Sequence, residues 1–213
     1  MTRRRQCIVG AVYRVVIGDV AQPSRSAPSN RTEPSRPIRL AGAKLVGYPP
    51  ARRRVVSFQP MVRVLFVCLG NVCRSPMAEA VFMHKVRAAG LDGRIQADSA
   101  GTGTWCVGEP PHAGTLAVLA KHNIVSEHRA RTIEHSDIDG FDLILTMDED
   151  NYNTVRAFAG GNGDIKRLLD FAPEFGLRDV PDPWYHGNFD LTYALVDRAT
   201  SAILEHIRTA HAL

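Results

Sequence analysis

The chain has 213 residues, a formal net charge of +4 and 45% hydrophobic residues, enough to bury a sizeable core. Its four cysteines, Cys7, Cys68, Cys73 and Cys106, are too few and too scattered for a disulfide framework or a paired metal site, and point to a reducing, cytoplasmic setting. No run of about 18 apolar residues occurs, which excludes a membrane-spanning helix.

The modest net charge conceals an uneven distribution. Residues 1–60 hold 12 of the 26 Lys+Arg and 2 of the 22 Asp+Glu, a net +10, which leaves −6 for residues 61–213. The first segment has arginine runs (Arg3 to Arg5, Arg52 to Arg54) and a Pro/Ser/Arg-rich middle that buries too little apolar surface to offset its ordering entropy. Three readings stand for it. It is a basic arm for nucleic acid or anionic membrane. It is a targeting peptide, although Arg14 interrupts the apolar stretch and no clean cleavage site follows. Or the domain starts at Met61 and the extension is a mis-assigned start or a functionless disordered tail. The last is the expectation, with no nucleic-acid or membrane partner.

From residue 61 the chain alternates element types. A β-branched apolar run at 62–67 predicts a buried parallel strand. A helix follows over 76–89, with Ser75 as N-cap, Pro76 at the first helical position and Gly90 ending it. Further strands are predicted at 94–98, 143–147 and 165–169. Further helices are predicted at 113–122, 149–159 and 191–208, with a four-proline loop over 171–187. Alternation of this kind implies an α/β fold: three layers, with a four-stranded parallel sheet between helices. Ligands of such sheets bind beyond the carboxyl ends of the strands, and the first such end is at Val67 and Cys68.

The segment Cys68-Leu69-Gly70-Asn71-Val72-Cys73-Arg74-Ser75 lies between strand and helix. A loop wrapping into a helix start aims unpaired N–H groups at one point and can cradle an oxyanion. Gly70 permits a backbone conformation closed to most residues, and Asn71 tolerates a left-handed one while tying the loop by its side chain. A thiol at a helix N-terminus beside an arginine falls from about 8.5 to roughly 3.5–7.5, so Cys68 is expected to be a nucleophilic thiolate. Arg74 supplies a planar fork for two phosphate oxygens, and such a clamp stabilises the charge of a phosphoryl-transfer transition state. Ser75 is placed to donate to the leaving thiolate. A Cys-x5-Arg spacing alone is weak. Its place after an apolar strand, with Gly70 inside and Ser-Pro at its end, makes it specific.

On these residues, residues 61–213 resemble the low-molecular-weight protein tyrosine phosphatases. The resemblance rests on 67–80 (VCLGNVCRSPMAEA), 98–102 (DSAGT), Trp105, 128–131 (HRAR), 147–151 (MDEDN) and 182–185 (DPWY). It implies a phosphatase I-like fold, with Cys68 as nucleophile, Arg74 as clamp and Asp182 as general acid and then base. It implies that Asn71, Ser99 and His128 hold the loop in shape. It implies that Trp105, Trp184 and Tyr185 wall a slot too deep for phosphoserine. The family more often has tyrosine at the position of Trp184. The expected substrate is a phosphotyrosine protein or peptide.

Two other activities belong to relatives of this fold. Phosphoarginine hydrolysis is favoured, as the resemblance implies, by a threonine where this chain has the aliphatic Val72. Arsenate reduction needs a relay of further cysteines, and none follows Cys106. Cys73 is read as either a redox partner of Cys68 or a small buried filler. The histidines show no zinc-type pair, and no metal or cofactor is expected.

Overall fold

The structure is a computed structural model that describes residues 61–213. The readings of residues 1–60 lie outside the described residues.

Four parallel strands form one sheet in the order β2-β1-β3-β4: β1 (Val62–Cys68), β2 (Ile95–Gly101), β3 (Leu143–Thr146) and β4 (Ile165–Arg167). β1 is central, and all its residues but Arg63 are buried. Its side chains alternate between two cores. Val64, Phe66 and Cys68 face the larger one, and Leu65 and Val67 face the smaller. The larger core is closed by α1 (Arg74–Ala88) and by α6 (Phe189–His211), with Phe66 edge-on to Phe82 at 5.6 Å. α4 (Glu149–Ala159) covers the other face through Val155 and Ala159. Burial on both faces explains why β1 and β3 read as continuous apolar runs instead of alternating ones.

β2 and β3 flank β1 on opposite sides, so the chain departs in different directions from neighbouring strand ends. The loop after β1 therefore sits at the crevice that such a reversal opens.

Several element ends differ from the sequence expectation. α1 begins at Arg74 with Cys73 as N-cap, so Ser75 is a residue of the first helical turn and not the cap. β2 runs on to Gly101, because Ser99, Ala100 and Gly101 pair with Phe66, Val67 and Cys68 along the central strand. β4 stops at Arg167 and passes into a 3₁₀ turn over Leu168–Phe171. Two short helices, α3 (His135–Gly140) and α5 (Pro183–His186), were not foreseen. Neither is long enough to show apolar periodicity. α3 is held by a reciprocal capping box between Glu134 and Asp137. α2 (Ala113–Lys121) falls within its expected span.

Candidate active site

The loop leaves β1 at Cys68 and folds back over its own sulfur. Asn71 N–H and Ser75 O–H both donate to Cys68 Sγ, at 3.2 and 3.0 Å. Asn71 takes the left-handed conformation (φ 54°). Gly70 does not, which corrects the expectation that the glycine supplies the unusual backbone. Asparagine tolerates this region better than most residues, and here its side chain is tied down by four partners. Its amide donates to Ser75 Oγ and Ser99 Oγ, both at 2.9 Å. Its carbonyl oxygen receives Arg131 N–H at 2.8 Å and lies 2.9 Å from His128 Nε2. Asn71 is 1% exposed, so every polar atom it carries needs these partners.

A second layer fixes the first. Glu79, one turn into α1, accepts from Ser99 Oγ at 2.7 Å and pairs with His128 Nδ1 at 3.1 Å. Arg131 spans Asp98 and Asp137, both at 2.8 Å. Burial works against the Arg131 charge, but these two carboxylates outweigh it, and its pKa is raised. Gly101, at the end of β2, lies under the loop, where a Cβ would come within 3.0 Å of Leu69 O and 3.1 Å of Asn71 Cβ. Glu79, Asp98 and His128 place one ligand atom each within 4.8 Å of one another, a spacing that could hold a metal ion. Each is already engaged: Glu79 by Ser99 and His128, Asp98 by Arg131, His128 by Asn71. Loop support accounts for the trio.

Arg74 enters from the first turn of α1 and is 3% exposed. Nη1 donates to Asp148 Oδ2 at 2.5 Å and Val180 O at 3.1 Å, and Nη2 to Asp182 Oδ2 at 2.9 Å. Its Nε is a buried donor with no protein partner. Burial opposes the Arg74 charge, while Cys68, Asp182 and Asp148 favour it more strongly, so its pKa is raised. Asp182 is the N-cap of α5. Its Oδ1 accepts from Trp184 N–H at 3.0 Å while Oδ2 faces Arg74. The cap aims the carboxylate, and Pro183 in the first turn stiffens the corner.

One pocket gathers these groups. It is lined by Cys68, Leu69, Gly70, Val72, Cys73 and Arg74 on the floor, by Asp182, and by Trp105, Trp184 and Tyr185 around the mouth, and encloses about 470 Å³ counting space open to solvent. All three aromatics are roughly half exposed, so they do not belong to the core. Gly103 lets the Trp105 ring lie flat, since a Cβ there would overlap it. Asn71 and Ser75 sit behind the floor. Cys106, for which the sequence suggested no role, also lines the pocket and packs with Val72 and Cys73. Burial first, then the charges of Cys68 and Asp182, push the Cys73 thiol far up, against the smaller opposing effect of Arg74.

The sequence reading assigned Cys68, Arg74, Asp182, Asn71, Ser99, His128 and the three aromatics to one site, and the fold brings all nine together. It assigned no role to Glu79, Gly101, Arg131 or Asp148. All four come from segments already noted for their similarity to a family, Arg131 as the last residue of 128–131, so the missing signal was spatial.

Comparison with known proteins places the chain in a family. The family model described as low molecular weight phosphotyrosine protein phosphatase matches residues 63–212. The low molecular weight protein-tyrosine-phosphatase YfkJ of Bacillus subtilis is 46% identical over 151 residues, spanning 70% of this chain and 97% of that protein. The crystal structure of YfkJ superposes with a TM-score of 0.70 at 44% identity, covering 72% of this chain and 98% of the other. A crystal structure of drosophila arginine phosphatase gives a TM-score of 0.65 at 31% identity, covering 68% and 97%. By sequence, by fold and by the loop at its centre, the chain belongs to the low molecular weight phosphotyrosine protein phosphatase family and is a hydrolase of that class.

Proposed function

We propose that residues 61–213 hydrolyse phosphotyrosine in proteins through a phosphocysteine on Cys68, with Asp182 as acid and then base. The observation that carries this reading is the shared pocket. A sulfur receiving two hydrogen bonds, a buried guanidinium with an unpartnered N–H, and a capped carboxylate all face one slot with aromatic walls.

The phosphoryl group enters the loop, where backbone N–H groups and the Arg74 fork take its equatorial oxygens. Arg74 Nε gains the partner it lacks. Nη2 turns from Asp182 to the dianion, which frees the Asp182 carboxyl to face the leaving oxygen. Cys68 sulfur attacks phosphorus. The S–P bond forms as the P–O bond breaks, and Asp182 gives its proton to the tyrosine oxygen. Water then attacks phosphorus, Asp182 takes the proton, and the S–P bond breaks. The departing thiolate is met by Ser75 O–H and Asn71 N–H, the donors already 3.0 and 3.2 Å away. Asp148 holds Arg74 throughout.

A flat aryl ester gains stacking and burial between Trp105, Trp184 and Tyr185. Val72 presents an aliphatic side chain to the same pocket, which supports phosphotyrosine over phosphoarginine. Cys68, Cys73 and Cys106, the three cysteines of the described residues, are all buried, which disfavours a disulfide relay to the surface.

The test is a side-by-side assay of the purified protein on phosphotyrosyl and phosphoarginyl peptides and on arsenate with a thiol reductant. The highest kcat/KM is expected on phosphotyrosine, with Cys68→Ser inactive yet still binding phosphate. A higher value on phosphoarginine, or arsenate-dependent thiol oxidation, would replace this reading.

A further inference from the structure

His112 lies just outside the pocket and is not one of its lining residues, yet it touches two residues that are, Val72 and Trp184. Its backbone N–H donates to Val72 O of the loop at 2.7 Å. Its Nδ1 accepts from Gly114 N–H at 3.0 Å, which caps α2. Its ring stacks on Phe189 at the start of α6, with centroids 5.0 Å apart and planes 5° from parallel. The same ring meets Trp184 edge-on, at 5.3 Å and 70°.

The arrangement is built in. Phe189 lies against Gly114, where a Cβ would overlap its ring. Thr115, fully buried next door, ties α2 to the loop by donating to Cys73 O at 3.3 Å. Trp184 by contrast sits on a four-residue helix with 42% of its surface exposed. A large ring so placed has solvent on one side, and its orientation depends on what it meets on the other. Edge-to-face and offset-stacked geometries are the preferred ones for aromatic pairs, and here they occur in series.

We propose that His112 is a positioning residue that sets substrate affinity. Through the series Phe189–His112–Trp184 it holds Trp184 upright as a wall of the slot, so that the aryl part of the substrate finds a formed surface. It touches neither phosphorus nor sulfur. The proposal rests on the reading of Trp184 as a wall for an aryl phosphoester.

Two variants separate the ring from the cap. His112→Asn keeps a side-chain acceptor for Gly114 N–H and loses the ring. His112→Phe keeps the ring and loses the acceptor. On p-nitrophenyl phosphate, His112→Asn is expected to raise KM by about 2- to 10-fold, the worth of an aromatic pair, with kcat little changed. Inhibition by inorganic phosphate, which needs the loop alone, is expected to stay as in the wild type. His112→Phe is expected to keep KM near the wild-type value while lowering the melting temperature through the lost cap. In a Trp184→Ala background His112→Asn should add nothing further.

The proposal is overturned if His112→Phe raises KM and His112→Asn does not. It is also overturned if phosphate inhibition weakens in step with KM, which would make His112 a support of the loop through Val72, or if the two substitutions are additive. Failure of the functional reading is a separate result: the wild-type protein would not turn over the aryl ester at all.

Discussion

Asp148 and Arg74 meet at 2.5 Å across the mouths of two helices, the first turn of α1 and the N-cap of α4. One carboxylate does two things. Its Oδ1 accepts from Asn151 N–H at 2.7 Å and caps α4, and its Oδ2 fixes the guanidinium that we propose as the phosphate clamp. Rigid placement of such a clamp is what makes it useful in a transition state, because no reorganisation is then needed as charge develops.

Asp148→Asn separates the two duties, since asparagine caps a helix about as well as aspartate. Its melting temperature should stay close to that of the wild type, while kcat/KM falls by about 10- to 100-fold with the lost charge-assisted bond to Arg74. Asp148→Ala should show the same kinetic loss and about 1 kcal/mol of lost stability in denaturant titrations. Full activity in Asp148→Asn would show that Arg74 does not depend on this contact.

Asp182→Asn keeps an acceptor for Trp184 N–H and removes the proton. Phosphotyrosine hydrolysis should slow by about 10²- to 10⁴-fold, the usual worth of general acid catalysis. p-Nitrophenyl phosphate, with a leaving group that needs little protonation, should slow far less. Equal slowing of the two esters would remove Asp182 from the acid role.

Gly101→Ala places a methyl group against Leu69 O and Asn71 Cβ. Neither is the free end of a flexible side chain, so the loop itself must move. A stability loss of about 1–3 kcal/mol is expected from this overpacking. The drop in kcat should exceed what the unfolded fraction explains, because the displaced atoms belong to the loop proposed to cradle phosphate. Circular-dichroism melts and kcat measured at one temperature check both.

Cys73 has a pKa raised above its ordinary 9.0, chiefly by burial. The native state therefore holds this proton more tightly than the unfolded chain does. Its contribution to stability is complete below about pH 9 and is lost progressively as pH rises above it. Chemical denaturation between pH 8 and pH 10.5 should show wild-type stability falling more steeply than that of Cys73→Ala, by up to about 1.4 kcal/mol per pH unit. Identical slopes would mean that the Cys73 thiol titrates alike in both states. By the same shift, Cys73 should resist alkylation at neutral pH, as peptide mapping after iodoacetamide treatment would show.

The parts of this protein that local physics controls were legible from residue order. β1 and β3 announce themselves by apolar runs, α1 by Pro76 near its start and Gly90 just past its end, α6 by its apolar spacing, and the candidate chemistry of Cys68, Arg74 and Ser75 by its confinement to one strand-to-helix turn. α3 and α5 were not legible, since a helix of one or two turns has no periodicity to detect and is held by caps and tertiary contacts. The start of α1 was misplaced for a related reason. Ser75 has the composition of a cap, but the loop needs its hydroxyl at the Cys68 sulfur, and the backbone enters the helix before it.

Similarity to a family, and not residue order, supplied Asp182, His128 and the aromatic walls. Only the folded chain decided which groups support them. Asp148 lies 74 residues from Arg74, Arg131 lies 60 from Asn71, and Ser99 lies 20 from Glu79. Such pairings depend on which strand ends are neighbours, and that is set by the order β2-β1-β3-β4. The sequence alone determined a reactive turn. The tertiary structure determined what holds it, because hydrogen bonds and ion pairs act over a few ångströms of space and carry no trace of their separation along the chain.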